Sequence, residues 1–135
     1  MRTEGMTLLE MLAIIIIIGI LAAIALPNFA PVREKALDKE ASASLKLIQA
    51  AEKIYRMETD FYYPYSTGTT VTETNITYIN QYLKLNLPET NQKWDYTCTS
   101  TSPTACAYAT RSNDPTKQWH LGVSDTGEPT SGACP

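Results

Sequence analysis

Apolar side chains are spread unevenly along the chain, and their spacing divides it into three stretches. Over residues 11–26 (MLAIIIIIGILAAIAL) no position carries a charged or strongly polar group. With Met6, Leu8 and Leu9 just before it, the run approaches the ~20 residues that a helix needs to cross a bilayer. Its Leu and Ile residues, about ten at roughly −0.5 kcal/mol each, favour insertion by ~5 kcal/mol. Glu10 opposes this by at most ~3 kcal/mol at mid-bilayer and by less near an end, so insertion wins. In the second stretch, residues 28–59, positions Leu37, Ala41, Ser44, Ile48, Ala51, Tyr55 and Glu58 recur at alternating steps of four and three. Leu45, Leu47 and Ile54 widen this stripe, while Lys39, Glu40, Lys46, Glu52 and Lys53 lie largely off it, which predicts an amphipathic helix. Pro27 and Pro31 interrupt the hydrogen-bond ladder at the join and predict a kink or loosened turn. One helix over residues 6–59 would measure roughly 80 Å at ~1.5 Å per residue. The alternative is a shorter amphipathic helix, set apart from the apolar run by a loop at residues 28–31.

The third stretch alternates with period two. Trp94, Tyr96 and Cys98 form one series and Cys106, Tyr108 and Thr110 another, predicting strands over residues 93–98, 105–111 and 118–123. The segments TSTSPT (99–104) and SNDPT (112–116) have turn composition, as does the stretch from Asp125 to Glu128. This makes a small antiparallel meander able to cover the apolar face of the amphipathic helix. Between helix and meander, the sequence DFYYPY (60–65) ends the helix and residues 66–74 read as a surface loop. Its aromatic cluster fits the seam where a helix meets a sheet, or a stacking platform for sugars or nucleic acid. Residues 78–87 suit a short helix ended by Pro88.

Length and charge narrow the function classes. The chain has 135 residues, enough for one modest domain, and a formal net charge of −3. No cluster of Lys or Arg occurs, so sequence-specific nucleic-acid binding has no electrostatic footprint. Nucleophilic catalysis needs a base beside its nucleophile, and His120, the sole histidine, sits in a predicted strand between Trp119 and Leu121. No Cys/His spacing suggests a metal or cofactor; Asp114, Asp125 and Glu128 lie in loops where calcium could bind, but without the regular spacing of an acid-rich site. Asn75-Ile76-Thr77 matches a glycosylation sequon, a triplet that also arises by chance. The cysteines Cys98, Cys106 and Cys134 fit one disulfide and one spare thiol in an oxidising compartment. From the residues alone, Cys106–Cys134 would staple the tail to a strand and Cys98–Cys106 would staple a hairpin.

The apolar run admits three readings. A cleaved secretory signal would have a shorter core, several N-terminal bases and a small-x-small site, which Ala23-Ile24-Ala25 imitates. A plain single-span anchor leaves Glu10 unexplained, because an ionisable residue inside an apolar span calls for a partner. The third reading comes from a resemblance. Gly5-Met6-Thr7-Leu8-Leu9-Glu10-Met11-Leu12, the Ile-rich run and the segment from Gly19 to Pro27 resemble the cleavage and methylation segment of type IV pilins and type II secretion pseudopilins. The likeness is specific over residues 5–30 and general beyond them. Met6 stands where Phe is commoner, and the leader MRTEG is short and barely basic.

The resemblance implies an α+β fold with a long N-terminal helix packed on a small antiparallel sheet. It implies a leader at 1–5, a transmembrane and polymerisation segment at 6–27, and an amphipathic helix with an α+β head at 28–135. A prepilin peptidase would cut between Gly5 and Met6 and methylate the Met6 amine. Glu10 would then fall at the family's acidic position and Pro27 at its helix break. The resemblance also favours Cys106–Cys134, the disulfide-bounded tail of many type IV pilins. In physical terms, a free Met6 ammonium and the Glu10 carboxylate of a neighbour could pair inside an apolar filament core. An unpaired charge there is costly, so the pairing would check register. The expected protein is thus no enzyme but a filament subunit serving adhesion, motility or DNA uptake. Its partners would be other copies of itself, the peptidase, the inner-membrane assembly machinery and, before assembly, lipid. It would move from inner membrane to cell surface. A secretion pseudopilin, or a single-span membrane protein with a binding or enzymatic head, are the alternatives.

Overall fold

A computed structural model describes all of the chain except residues 1–4, 26–28, 66, 133 and 135. The elements are α1 (Leu8–Ala25), α2 (Ala30–Thr59), β1 (Val71–Glu73), α3 (Ile76–Leu83), β2 (Trp94–Thr101), β3 (Thr104–Arg111), β4 (Asp114–Gly122) and β5 (Thr130–Ser131). Two compact units emerge, Met1–Glu34 and Lys35–Pro135. The first contains α1 and the opening turn of α2. α1 has 18 residues and one acidic side chain, Glu10. At ~1.5 Å per residue it is about 27 Å long, just short of a ~30 Å hydrocarbon core. Among the described residues no helix is long and apolar enough to cross a membrane. Phe29 stands outside any helix, so the N-terminal helix is described in two segments, and the expected break at Pro27 lies outside the described residues. Pro31 falls in the first turn of α2, where its missing N–H has no intrahelical partner to lose.

The second unit is α+β: α2 packs on a five-stranded antiparallel sheet of order β1-β2-β3-β4-β5. Its core joins Ala41, Leu45, Ile48 and Ala51 of α2 to Trp94, Tyr96 and Cys98 of β2, Ala107 and Ala109 of β3, Leu121 of β4, and Ile79 and Leu83 of α3. Trp94 pairs in register with Arg111 of β3, whose guanidinium lies 5.2 Å from the centre of the indole ring, and the indole N–H donates to the Leu37 carbonyl of α2 at 2.9 Å. α2 buries Ala41, Ile48 and Ala51 of the predicted stripe together with Leu45 and Glu52, which widen it on one side only, and Leu45 is fully covered. Leu47 and Ile54, predicted to widen the stripe, face away and stay half exposed. Glu52, predicted to lie off it, is buried.

Boundaries shift in the meander as well. β2 and β3 run on to Thr101 and back from Thr104, so their turn is tighter than predicted. β4 begins at Asp114, inside the predicted turn, after a register irregularity at Thr110/Arg111. β1 lies within the predicted surface loop, paired as Val71↔Ser100 and Glu73↔Cys98. β5, which the sequence pattern does not predict, adds Ser131 and Thr130 to the outer edge of β4. α3 starts two residues earlier than the predicted short helix, because the Asn75 side chain accepts the Thr77 N–H at 2.9 Å as its cap. It ends before Pro88, at Lys84 in the left-handed region.

Candidate functional site

The N-terminal site is built by the start of α1. Residues 5–7 are not helical, and Gly5 has open space where a Cβ would stand. The first helical hydrogen bond runs from Met11 N–H to the Thr7 carbonyl, which makes Thr7 the cap. Glu10 sits three residues on. One of its carboxylate oxygens accepts both the Thr7 N–H and the Thr7 hydroxyl at 2.9 Å, and the hydroxyl oxygen accepts the Glu10 N–H at 3.3 Å. This reciprocal capping box satisfies amides that have no partner within the helix. It holds the carboxylate at Thr7, and Met6, Glu10, Ala13 and Ile14 line one open surface groove. The structure thus gathers Gly5, Met6 and Glu10 at one helix end. Thr7 is the residue that sequence reasoning missed, although Thr-x-x-Glu before an apolar run is a readable capping signature.

The disulfide site lies in the second unit, on the solvent side of the sheet. Cys106 is bonded to Cys134, with Cα atoms 6.4 Å apart, within the ordinary range for such a bond. Cys98 remains a buried thiol, held well above its usual pKa by burial first and then by the nearby Glu52 and Glu73 carboxylates. The alternation of strands explains why Cys98 does not join Cys106. Cys106 pairs in register with Thr99, so Cys98, one residue along, points into the core while Cys106 points out. The tail is also held by His120, whose ring nitrogens lie 2.9 Å from the Gly132 carbonyl and the Thr130 hydroxyl.

The loop carboxylates are dispersed. Asp114 caps its own turn through Thr116, whose hydroxyl and N–H lower its pKa. Asp125 accepts the Gly122 N–H at 2.7 Å, and Glu128 accepts from Lys46 and Ser42 of α2, Lys46 being the main cause of its lowered pKa. Among the described residues no group of three His, Cys, Asp or Glu side chains could hold a metal ion. The aromatic cluster straddles the seam beside α2: the buried Tyr63 ring packs edge-on against Tyr55 and stacks on Tyr82 of α3, with centroids 5.9 and 5.1 Å apart.

No protein-family model matches the chain, and no solved structure matches it. Curated relatives do. The type IV major pilin protein PilA of Myxococcus xanthus is 43% identical over 61 residues, 45% of this chain and 28% of that pilin. The type II secretion system core protein G of Aeromonas hydrophila is 34% identical over 61 residues, 45% of this chain and 43% of that protein. The type IV narrow pilus major component PilA5 of Thermus thermophilus is 39% identical over 54 residues, 40% of this chain and 47% of that protein. The chain thus covers less than half the length of each. It is a homologue, over 45% of its length or slightly less, of type IV pilins and type II secretion pseudopilins. Two of these relatives are named as pilus components and one as a core protein of a secretion system.

Proposed function

We propose that this homologue of pilins and pseudopilins is the repeating subunit of a pilus-like filament, polymerising through its apolar N-terminal helix. The observation that supports it best is the arrangement at the head of α1. A capped carboxylate, Glu10, stands beside Met6 at the start of a helix whose described side chains are all exposed. A helix of 18 residues exposed in this way needs lipid or other copies of itself to be covered. In this reading a prepilin peptidase removes residues 1–5 and methylates the Met6 amine. Residues 6–27 hold the subunit in the inner membrane, and the assembly machinery then extracts it. Glu10 meets the Met6 ammonium of a neighbour in the filament core and sets the register, while Pro27 marks a break in the helix. Adhesion, motility and DNA uptake are the duties such a filament would serve at the cell surface.

The intact mass of subunits sheared from the cell surface tests this. The expected mass lacks residues 1–5, carries one methyl group on the Met6 amine and contains one disulfide. Gly5→Val, which puts a branched side chain at the cleavage site, is expected to accumulate as uncleaved precursor in the membrane. Normal maturation of that variant would overturn the assignment. A pseudopilin role has its own support in the Aeromonas similarity. It would be indicated if loss of the chain blocked protein secretion and left surface filaments intact.

A further inference from the structure

Among the described residues the buried core contains one carboxyl group, Glu52 of α2, only 3% exposed. It accepts the backbone N–H of Tyr63 at 2.9 Å. Tyr63 lies in the turn after α2, where the chain has reversed at Asp60 in a left-handed conformation. The bond therefore ties the turn at residues 60–65 back to the helix, and it seats the Tyr63 ring between Tyr55 and Tyr82. The titratable groups around it come from every element nearby: the Cys98 thiol of β2, the Glu73 carboxylate of β1, and the Tyr63, Tyr55 and Tyr82 phenols. None of these is a cation that could offset a buried negative charge.

We propose that Glu52 is a pH-operated latch: neutral, it closes the turn at residues 60–65 over the helix–sheet seam, and ionised, it releases the turn. The geometry decides which part yields. An ionised carboxylate at this depth needs water or a cation. α2 is held by its own ladder and the strands by theirs, whereas the turn is held by the Glu52–Tyr63 bond, ring packing and exposed contacts of Arg56 with the Tyr62 hydroxyl and of Thr59 with the Phe61 carbonyl. Water therefore enters by way of the turn, which has the least to lose on opening locally. Burial pushes the Glu52 carboxyl up to about 7 from its ordinary 4.5, against the smaller lowering by the Tyr63 N–H. A carboxyl raised in this way contributes stability that is complete below its ordinary range. That contribution is lost as pH climbs through about 7. The turn presents Phe61 and Tyr65 at the surface, packed edge to face at 4.5 Å, so their arrangement would follow the latch. The inference concerns the head alone and does not depend on whether the chain polymerises.

Amide hydrogen exchange of the full chain in detergent micelles, corrected for the intrinsic pH dependence of exchange, reads the latch at Tyr63. Protection of that amide is expected to fall by about tenfold or more between about pH 5.5 and about pH 8.5. In Glu52→Gln, which keeps the acceptor oxygen without the charge, it is expected to stay level. Constant protection in the unaltered chain overturns the proposal, and so does an undiminished fall in the variant. Should Glu52→Gln fail to fold, a 13C label on the Glu52 carboxyl carbon of the unaltered chain decides instead. A midpoint near neutral supports the latch, and one in the ordinary carboxylate range overturns it.

Discussion

Along α1 every described side chain is exposed, Leu8 at 86% and Ile24 at 80%, whereas in α2 Ala41, Leu45 and Ile48 are at 0%. Both segments are helical and both contain apolar residues, yet only α2 completes itself within the chain. Its buried apolar residues lie on one face, so one face of the sheet can cover them. Those of α1 go all the way round, and no single partner surface could. The contrast separates two uses of hydrophobicity. In the head it drives folding; along α1 it stays exposed, which the proposed function assigns to lipid and to other copies. Damage to one segment should then leave the other's property intact.

The sharpest way to break that separation is at Glu10. Glu10→Ala and Glu10→Gln are expected to insert and be cleaved normally, and to leave the head's thermal unfolding unchanged. Filaments should nonetheless be lost almost entirely, because an unpaired Met6 ammonium in a dry core costs roughly several kcal/mol. The ratio of filamentous to membrane-bound subunit, in cells with no unaltered copy, measures it. Abundant filaments from both variants would remove Glu10 from the assembly mechanism. The reciprocal lesion is Leu45→Ala, expected to destabilise the head by roughly 2–5 kcal/mol. Ile16→Ala, an equal truncation in α1, should leave head stability unchanged in denaturant titrations. Equal losses from the two would mean that α1 belongs to the head's core.

Smaller effects sharpen the picture within the head. Cys134→Ser opens a bond between residues 28 apart. The chain-entropy model puts the loss at about 3–4 kcal/mol, and Cys98→Ser should cost less because it removes no cross-link. Thermal melts of the two variants, compared with the reduced protein, would show it. Least of all should follow from Lys84→Ala, which removes an ion pair to Glu58 between two exposed side chains. The expected change is at most ~0.5 kcal/mol, further reduced by salt.

What could be read from the sequence depended on how local the determinant is. The apolar run of residues 11–26 and the Trp94, Tyr96, Cys98 alternation describe their own elements, and helix and strand follow. The same alternation places Cys98 and Cys106 on opposite faces once their strands are in register, but the register depends on the turn between them. Glu52 escapes a reading of the stripe because the buried face extends one residue to one side of it, and the helix's own pattern does not say which side. The sheet that meets it chooses between Leu45 and Leu47. β1 and β5 have three and two residues, and their pairing partners, not their own sequences, make them strands. Asn75 reads as a sequon and serves as a cap, since the same side chain suits both. At the N-terminal site the residues were legible but the Thr7–Glu10 cap was overlooked. That cap is what fixes the carboxylate at the first turn of α1.

The order of the sheet has a kinetic consequence. Each strand from β1 to β5 lies beside its neighbours in sequence, apart from the α3 excursion between β1 and β2. Hairpins can therefore zip one onto the next with short loop closures, a topology of local contacts that favours quick folding. Docking of α2 and linkage of Cys106 to Cys134 are the distant steps, 57 residues separating Leu37 from Trp94 and 28 separating the two cysteines. The meander can bring the strand with Cys106 and the tail with Cys134 together before oxidation. Refolding from the reduced state should accordingly form the sheet first and oxidise afterwards, so that the bond locks in an arrangement the strands have already reached.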